Sequence, residues 1–348
     1  MQIGVVGCGY WGSKHLRVLG SIPHVENVVA IDASEDRLRA VAEAFPTATL
    51  ARRLDDVLPR LDGLVVATPP QSHVALATQA IDAGCPVLVE KPLATKARDA
   101  KRLVDLADAR SVPVMVGHTF EHNAAVWKLR ELVRNDDLGP VYYADAARLN
   151  LGLYQSDVNV IWDLAPHDIS IFNFVLSSTP SWVEAWGSCH AHPLLEDVAY
   201  VRLYYADAGV MANIHVSWLD PCKVRRVTLV GSHQMAVYND LASEPLRIFD
   251  KGVEMLVSDE DVGGMPMSYR YGDILSPFVA AEEPLAVQDR RFVGVVMSRD
   301  IDSTNARNGV AVVEVLEAAE RALREQRRVE VDEVRADGEL AVAVGEAG

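Results

Sequence analysis

A short glycine loop near the start of the chain constrains the fold more than any other feature of the sequence. Gly7, Gly9 and Gly12 follow an apolar run, Gln2–Gly7, and precede a helical pattern, Trp11–Leu19. Glycines at this spacing let a chain turn tightly from a strand into a helix, and they leave the helix N-terminus open to a phosphate group. The loop therefore predicts a parallel α/β domain with a phosphate-binding turn after its first strand.

The alternation of apolar strand and helical pattern continues as far as residue 118. Further strands are predicted at Asn27–Asp32, Gly63–Ala67, Pro86–Glu90 and Val112–Gly117, with helices at Glu35–Phe45, Gln71–Ala83 and Thr95–Arg110 between them. Buried, β-branched strands that alternate with helices are typical of a parallel sheet covered on both faces. Residues 1–118 are therefore predicted to form a Rossmann domain of the α/β class.

Beyond residue 118, predicted strands follow one another with little helix between them. They are Val141–Leu149, Trp182–Gly187, Ala199–Tyr205, Val210–Val216, Val224–Val230 and Gln234–Tyr238, and helices are predicted at 124–135, 162–176, 287–299 and 306–326. Successive strands pair antiparallel, so residues 119–335 are predicted to form an α+β domain. Residues 336–348 read as a flexible tail.

Composition limits the class of partner. The 348 residues carry a net charge of −16, which argues against nucleic acid because phosphate contacts need clustered Lys and Arg. An acidic field slightly favours a cationic substrate, although acidic surfaces more often serve only solubility. The four scattered cysteines and the absence of a long apolar run predict a cytoplasmic protein with reduced thiols and no membrane association.

Asp32 ends the second predicted strand, twenty positions after Gly12. A carboxylate at that position accepts hydrogen bonds from an adenosine ribose and repels a 2′-phosphate, so NAD is predicted as the cofactor in preference to NADP. Tyr10 and Trp11 complete the cofactor loop, and Arg37 is expected on the next helix, facing solvent. The alternative is that Asp32 only caps a turn.

Three further motifs lie where ligands bind in open α/β sheets or on one helix face. Thr68 and Pro69 follow one predicted strand. Glu90 ends the next predicted strand and Lys91 follows it. His73 is a further cofactor candidate, although it equally suits an exposed first helical turn. Asp163 and His167 are four positions apart and share a face if the segment is helical. Pro166 then predicts that the helix begins close to it.

These motifs together resemble the Gfo/Idh/MocA family of oxidoreductases. The stretches GCGYWG, ATPPQSH, EKPL and DLAPH occur in that order, and the resemblance covers nearly the whole chain. The resemblance implies a Rossmann domain followed by an α+β domain with a large open antiparallel sheet. The exposed face of that sheet usually makes the oligomer contact in the family, which implies a homodimer or homotetramer here.

The resemblance also implies roles for three residues. Lys91 would contact both the nicotinamide ribose and the reacting hydroxyl, and Asp163 and His167 match the family's acidic residue and general base. The chemistry agrees, because loss of a hydride from a secondary alcohol requires removal of the hydroxyl proton, and histidine titrates near neutral pH. Taken alone, His167 also fits a histidine at a helix start.

Two rival classes remain at this point. A non-catalytic NAD-binding regulator on the same scaffold would be expected to lose its lysine or histidine, whereas Lys91 and His167 are both present. A purely structural Rossmann-like protein would have no need of Asp32.

The stretch from Arg148 to Asp163 looks like the branch that oxidises a ring hydroxyl of an amino or uronic sugar, commonly at C3. The substrate would be either a nucleotide-linked sugar or an aminoglycoside, and an inositol or free-sugar dehydrogenase of the same family is the alternative. Candidate substrate-binding residues, besides the three catalytic ones, are Glu121, Asn123, Arg148, Tyr154 and Asp157. Cys189, His190 and His192 form a cluster without a second group of ligands, and hydride transfer to a nicotinamide needs no metal, so none is predicted.

Overall fold

The computed structural model describes residues 1–152, 154–155, 158–255, 267–301 and 304–345, without the side chains of 254–255 and 339–345. The chain divides into two compact units. The first comprises Met1–Asn123, Glu282–Glu317 and Asp332–Gly348, and the second comprises Ala124–Ala281 and Ala318–Val331. The predicted boundary at residue 118 lies close to this division. The two units do not simply follow one another along the chain, however, because Glu282–Glu317 belongs to the first unit.

The first unit contains a six-stranded parallel sheet. Its elements up to residue 116 are β1 (Gln2–Val6), α1 (Tyr10–Leu19), β2 (Asn27–Ile31), α2 (Glu35–Ala44), β3 (Thr49–Ala51), β4 (Gly63–Val66), α3 (His73–Asp82), β5 (Val87–Val89), α4 (Ala97–Arg110) and β6 (Val114–Val116). The strand order β3-β2-β1-β4-β5-β6 is that of a Rossmann fold. The predicted Rossmann domain is confirmed, and only β3, a short strand with an exposed face, escaped the sequence pattern.

The second unit contains a nine-stranded sheet. Its elements are α5 (Ala124–Arg134), β7 (Val141–Leu151), α6 (Val160–Leu176), β8 (Trp182–Ser188), β9 (Val198–Tyr205), β10 (Val210–Ser217), β11 (Leu219–Gly231), β12 (Met235–Asn239), β13 (Leu246–Met255), β14 (Met267–Leu275) and β15 (Val329–Glu330). The strand order is β14-β13-β12-β11-β7-β10-β9-β8-β15. All neighbours pair antiparallel except β7 and β10, which are parallel because α6, β8 and β9 lie between them along the chain. The predicted large antiparallel sheet is confirmed in its main character.

Three helices complete the chain: α7 (Pro284–Ser298), α8 (Ala306–Glu325) and α9 (Val331–Gly345). Leu285, Phe292 and Val296 of α7 are buried in the same core cluster as Ile3 and Leu16 of the first unit. This apolar contact explains why a segment that follows the nine-stranded sheet belongs to the first unit. Such long-range packing leaves no local mark in the sequence.

One local prediction is wrong, and one helix begins two residues earlier than predicted. The tail predicted at 336–348 is helical as far as Gly345, because Val331 and Val334 are buried and Arg335 pairs with Glu314. The helix of the Asp-x-x-x-His motif begins six residues before Pro166, at Val160, where the side chain of Asn159 accepts a hydrogen bond from the N–H of Trp162. This cap fixes the helix start, so the interior proline removes one N–H donor without ending the helix. Among the described residues, no helix is long and apolar enough to cross a membrane.

Candidate active site

The three glycines of the loop between β1 and α1 are required for three different reasons. Gly7 has a φ of +93°, which favours glycine. A Cβ on Gly12 would lie 1.8 Å from the carbonyl oxygen of Gly7, so the helix can approach the turn only without a side chain. A Cβ on Gly9 would meet nothing within 4 Å. The protein itself therefore leaves open space at Gly9, as expected where a ligand phosphate approaches the backbone.

A cavity of about 520 Å³ opens beside this loop. Seven of the predicted cofactor residues line it, whereas Gly12 and Lys91 do not; the seven are Gly7, Gly9, Tyr10, Trp11, Asp32, Thr68 and Pro69. Arg37, Arg52, Leu54, Ser72 and Leu76 also line the cavity. Its position at the carboxyl ends of β1 and β4 is where a dinucleotide binds in this fold. The shape of the loop and the open space at Gly9 both fit NAD.

Asp32 is 8% exposed and is held by the backbone. The N–H of Cys8 donates to Oδ2 at 2.8 Å, and the N–H of Ser34 donates to Oδ1 at 2.9 Å. The carboxylate therefore both fixes the turn and faces the cavity. Its role as a turn cap is compatible with the predicted contact to an adenosine ribose. Arg37 approaches Asp32 at 3.5 Å and lines the cavity with Arg52, and its side chain is 57% exposed, in agreement with the expectation that it faces solvent.

His73 does not line the cavity. Its side chain is fully buried, with Nδ1 2.8 Å from the carbonyl oxygen of Pro92 and Nε2 2.8 Å from that of Thr68. The ring joins the segments that follow β4 and β5, and burial lowers its pKa. Both ring nitrogens are thus engaged by the backbone, and the predicted cofactor contact is replaced by a role in holding the two segments together.

Glu90 is also buried, in an ionic network that the sequence did not reveal. His15 on α1 places Nε2 3.1 Å from Oε1 of Glu90 and Nδ1 2.9 Å from Oδ1 of Asp289 on α7. Burial lowers the pKa of His15, but the two carboxylates outweigh this and raise it to about 10. The other oxygen of Glu90 accepts the backbone N–H of Lys91 at 3.2 Å. Glu90 therefore positions Lys91, whose side chain is partly buried, and is itself closed to the cofactor.

The segment after β6 contributes buried polar groups. Glu121 is 4% exposed, and its carboxylate accepts hydrogen bonds from Asn305 and Asn308 at 2.9 and 2.5 Å, so it is engaged in the structure and not presented to a substrate. Asn123 ends the short 3-10 segment Thr119–His122 and is partly buried. His118 is fully buried, and neither of its ring nitrogens has a hydrogen-bond partner among the described residues. Burial, with the nearby Lys91, lowers its pKa to about 3, so it stays neutral.

In the second unit, Asp163 and His167 lie one turn apart on α6, and both are partly exposed. The indole Nε1 of Trp218, a buried residue directly after β10, donates to Oδ2 of Asp163 at 3.0 Å. Asp163 and His167 therefore lie on the same face of α6, as predicted. Asp163 is held by a tryptophan that lies 55 positions away along the chain.

Arg148 and Asp168 form a buried ion pair between β7 and α6. Nε and Nη2 of Arg148 donate to the two carboxylate oxygens at 2.9 and 2.8 Å, and the two residues are 6% and 1% exposed. The guanidinium is thus engaged within the protein, which corrects the assignment of Arg148 as a substrate-binding residue. Its role is to hold the helix of Asp163 and His167 against the sheet.

Tyr154 is 37% exposed, and its hydroxyl donates to Oδ2 of the buried Asp197 at 3.3 Å. Nδ1 of His190 lies 2.7 Å from the other oxygen of the same carboxylate. Asp197 and His190 were not assigned to the site from the sequence, because they lie on the segment between β8 and β9, far along the chain from Tyr154. Asp157 lies outside the described residues. Within the part of the chain that is described, no group of three or more His, Cys, Asp or Glu side chains has the arrangement of a metal site.

Family models match both units. The model described as "Oxidoreductase family, NAD-binding Rossmann fold" covers residues 1–118, and the "GFO/IDH/MocA C-terminal domain" covers residues 126–237. The chain belongs to the Gfo/Idh/MocA family and is an NAD-binding oxidoreductase of that family. The family resemblance and the NAD cofactor predicted from the sequence are confirmed.

Three relatives illustrate the range of substrates within this likeness. D-apiose dehydrogenase of Paraburkholderia graminis is 24% identical over 96% of this chain and 90% of its own length. UDP-N-acetylglucosamine 3-dehydrogenase of Acidithiobacillus ferrooxidans is 27% identical over 72% of this chain and 78% of its own. The crystal structure of GenD2 from gentamicin A biosynthesis, in complex with NAD, superposes with a TM-score of 0.78 at 26% identity and covers 95% of this chain and 96% of that one.

Proposed function

We propose that this protein oxidises a secondary ring hydroxyl of an amino sugar, at C3, to a ketosugar and transfers the hydride to NAD. The observation that carries the proposal is the pair of Asp163 and His167 on one partly exposed face of α6, with Asp163 fixed by Trp218. A histidine beside an oriented carboxylate is suited to remove a proton from an alcohol. A regulator that only binds NAD would have no need of this pair.

The chain's residues have the following roles in the proposed reaction. Held in the cavity beside Gly9 and Asp32, NAD would supply the acceptor for the hydride. His167 removes the hydroxyl proton, and Asp163 orients the imidazole or holds a neighbouring hydroxyl. The Lys91 ammonium stabilises the alkoxide that develops, and its backbone is held by Glu90.

The relatives support an amino sugar as the substrate. UDP-N-acetylglucosamine 3-dehydrogenase acts on a nucleotide-linked amino sugar by its name, and GenD2 comes from an aminoglycoside pathway. Arg148, a candidate substrate-binding residue, is paired with Asp168 and is therefore not available to an anionic substrate. The net charge of −16 is compatible with a cationic sugar.

A row of aromatic rings supports homo-oligomer formation through the nine-stranded sheet. Trp186, Tyr200 and His215 lie side by side across β8, β9 and β10, and Trp186 and Tyr200 are about half exposed. Exposed aromatic rows of this kind are typical of protein interfaces. Light scattering of the wild type and of Trp186→Lys tests the proposal, which predicts a dimer or tetramer that the lysine dissociates; a wild-type monomer contradicts it.

Formation of NADH, followed by its absorbance, tests the proposed function. The substrates to compare are an aminoglycoside, UDP-N-acetylglucosamine, myo-inositol and D-apiose. The proposal predicts turnover with one of the two amino-sugar substrates and little with the other two. Turnover only with D-apiose would instead favour a free-sugar dehydrogenase, the alternative supported by the relative that matches 96% of the chain.

A further inference from the structure

His190, left unassigned by the family motifs, is held in one orientation by a buried carboxylate. Its side chain is 56% exposed, whereas that of Asp197 is fully buried. Besides the contact with the His190 ring, Asp197 accepts the backbone N–H groups of His190 and Ala191 at 2.9 and 2.8 Å. Burial raises the pKa of Asp197, but these hydrogen bonds outweigh it and bring the pKa below its ordinary value. Asp197 is therefore ionised and accepts the Nδ1–H of His190.

The same carboxylate links His190 to the acidic residue on α6. The ring of Tyr154, whose hydroxyl also donates to Asp197, packs on Trp218 with 5.1 Å between ring centroids. Trp218 donates its backbone N–H to the carbonyl of Asp197 at 2.9 Å and its indole N–H to Asp163 at 3.0 Å. One buried residue thus connects the His190 group with Asp163.

Sheet topology explains why residues so distant in sequence meet here. β7 and β10 are parallel, and β9 pairs antiparallel with both β10 and β8, so β7, β8 and β10 run in the same direction. Tyr154, His190 and Trp218 each follow the end of one of these three strands. They therefore gather at one edge of the sheet, where α6 also begins: the N–H of Val160 donates to the carbonyl of Glu196 at 2.9 Å.

At this edge of the sheet, His190 and Tyr154 each offer one hydrogen-bond acceptor to a ligand. In the neutral tautomer that donates Nδ1–H to Asp197, Nε2 of His190 carries a lone pair, and this nitrogen makes no hydrogen bond to the described residues. The Tyr154 hydroxyl donates its O–H in a hydrogen bond to the same carboxylate, so its oxygen can only accept a further hydrogen bond. Two acceptors backed by a carboxylate ion attract hydrogen-bond donors and cations, and they repel phosphate or carboxylate groups.

We propose that His190 and Tyr154, backed by Asp197, form a subsite for a protonated amine of the sugar substrate. This assignment rests on the proposed function and sharpens it, because it selects a cationic amino sugar with free amines over a nucleotide-linked, N-acetylated one. His190 and Tyr154 are specificity-determining contacts in it, and Asp197 is the positioning residue.

Calorimetric binding to the full-length protein with NADH bound tests the subsite without turnover. The ligands are neamine, which carries free amines, its fully N-acetylated derivative, and UDP-N-acetylglucosamine. We expect neamine to bind most tightly and His190→Phe to weaken it about tenfold, the effect of one charge-assisted hydrogen bond. Tyr154→Phe should weaken neamine less and leave the acetylated derivative unchanged.

His192→Phe is the matched control, because His192 lies on the same loop but uses Nδ1 to accept the backbone N–H groups of Leu194 and Leu195. Thermal melting of each variant establishes that it is folded. The subsite is overturned if wild-type protein does not bind neamine, if it binds UDP-N-acetylglucosamine more tightly, or if His190→Phe has no more effect than the control. Neamine binding that depends on His190, without oxidation of any sugar, would support the subsite and reject the proposed function.

Discussion

The two units build their functional residues in different ways. In the first, the cofactor loop is a property of the backbone: a positive φ at Gly7, a contact at Gly12 that excludes any side chain, and open space at Gly9, all within six residues. In the second, Asp163 depends on Trp218, which is 55 positions away. A site formed by backbone geometry is specified by a short sequence motif. A site formed by side-chain contacts instead depends on residues that are far apart along the chain.

The largest effect is expected from loss of either of the two side chains proposed to act on the reacting hydroxyl. His167→Asn and Lys91→Met should each lower kcat roughly 10³-fold, because each removes a group that acts on the reacting hydroxyl. NADH affinity, measured by fluorescence, should change by less than about threefold for His167→Asn. His192→Asn is the control, and near-normal turnover in either of the first two variants would remove that residue from the mechanism.

The second prediction concerns the support of α6. Arg148→Met should lower the free energy of unfolding by about 3–5 kcal/mol, because it leaves the buried Asp168 carboxylate without its partner. Urea denaturation of this variant and of the double variant Arg148→Met, Asp168→Leu measures the effect. The double variant should recover part of the loss. A stable Arg148→Met protein with impaired sugar binding would restore Arg148 as a substrate contact.

Two neighbouring glycines sharpen the claim that the first site is made by the backbone. Gly9→Ala should fold normally, since Gly9 has a φ of −78° and a Cβ there meets no protein atom, but should bind NAD roughly 30-fold more weakly, or by about 2 kcal/mol. Gly12→Ala should fail at folding, because its Cβ would collide with the Gly7 carbonyl. Thermal melting and NADH titration separate the two outcomes. Equal behaviour of the two variants would contradict the distinct roles given to these glycines.

The smallest expected effect is on the choice of cofactor. Asp32→Ala should shift the ratio of NAD to NADP affinity toward NADP by about tenfold, since it removes the carboxylate that repels a 2′-phosphate and leaves Arg37 and Arg52 at the cavity. Titration with both reduced cofactors measures the ratio. An unchanged ratio would refute the assignment of Asp32 to the adenosine ribose.

The sequence predicted the Rossmann sheet and the cofactor loop because both depend on residues close together along the chain. It could not show that His15, Glu90 and Asp289 form one buried network, since Asp289 lies 274 positions after His15. Nor could it distinguish a buried Glu121, Arg148 or His73 from an exposed one, because burial of these polar side chains is decided by partners on other elements. A sequence motif therefore indicates which polar residues lie near the site, but it does not indicate which of their side chains are exposed to a ligand.

Transfer of deuterium from the sugar to the nicotinamide directly tests the proposed oxidation at C3. An amino sugar that serves as substrate, labelled with deuterium at C3, is incubated with the protein and NAD, and the NADH formed is analysed by mass spectrometry. We expect the deuterium to appear in the nicotinamide ring of NADH, and we expect His167→Asn to abolish the transfer. Unlabelled NADH, formed while the deuterium stays on the sugar, would contradict oxidation at C3.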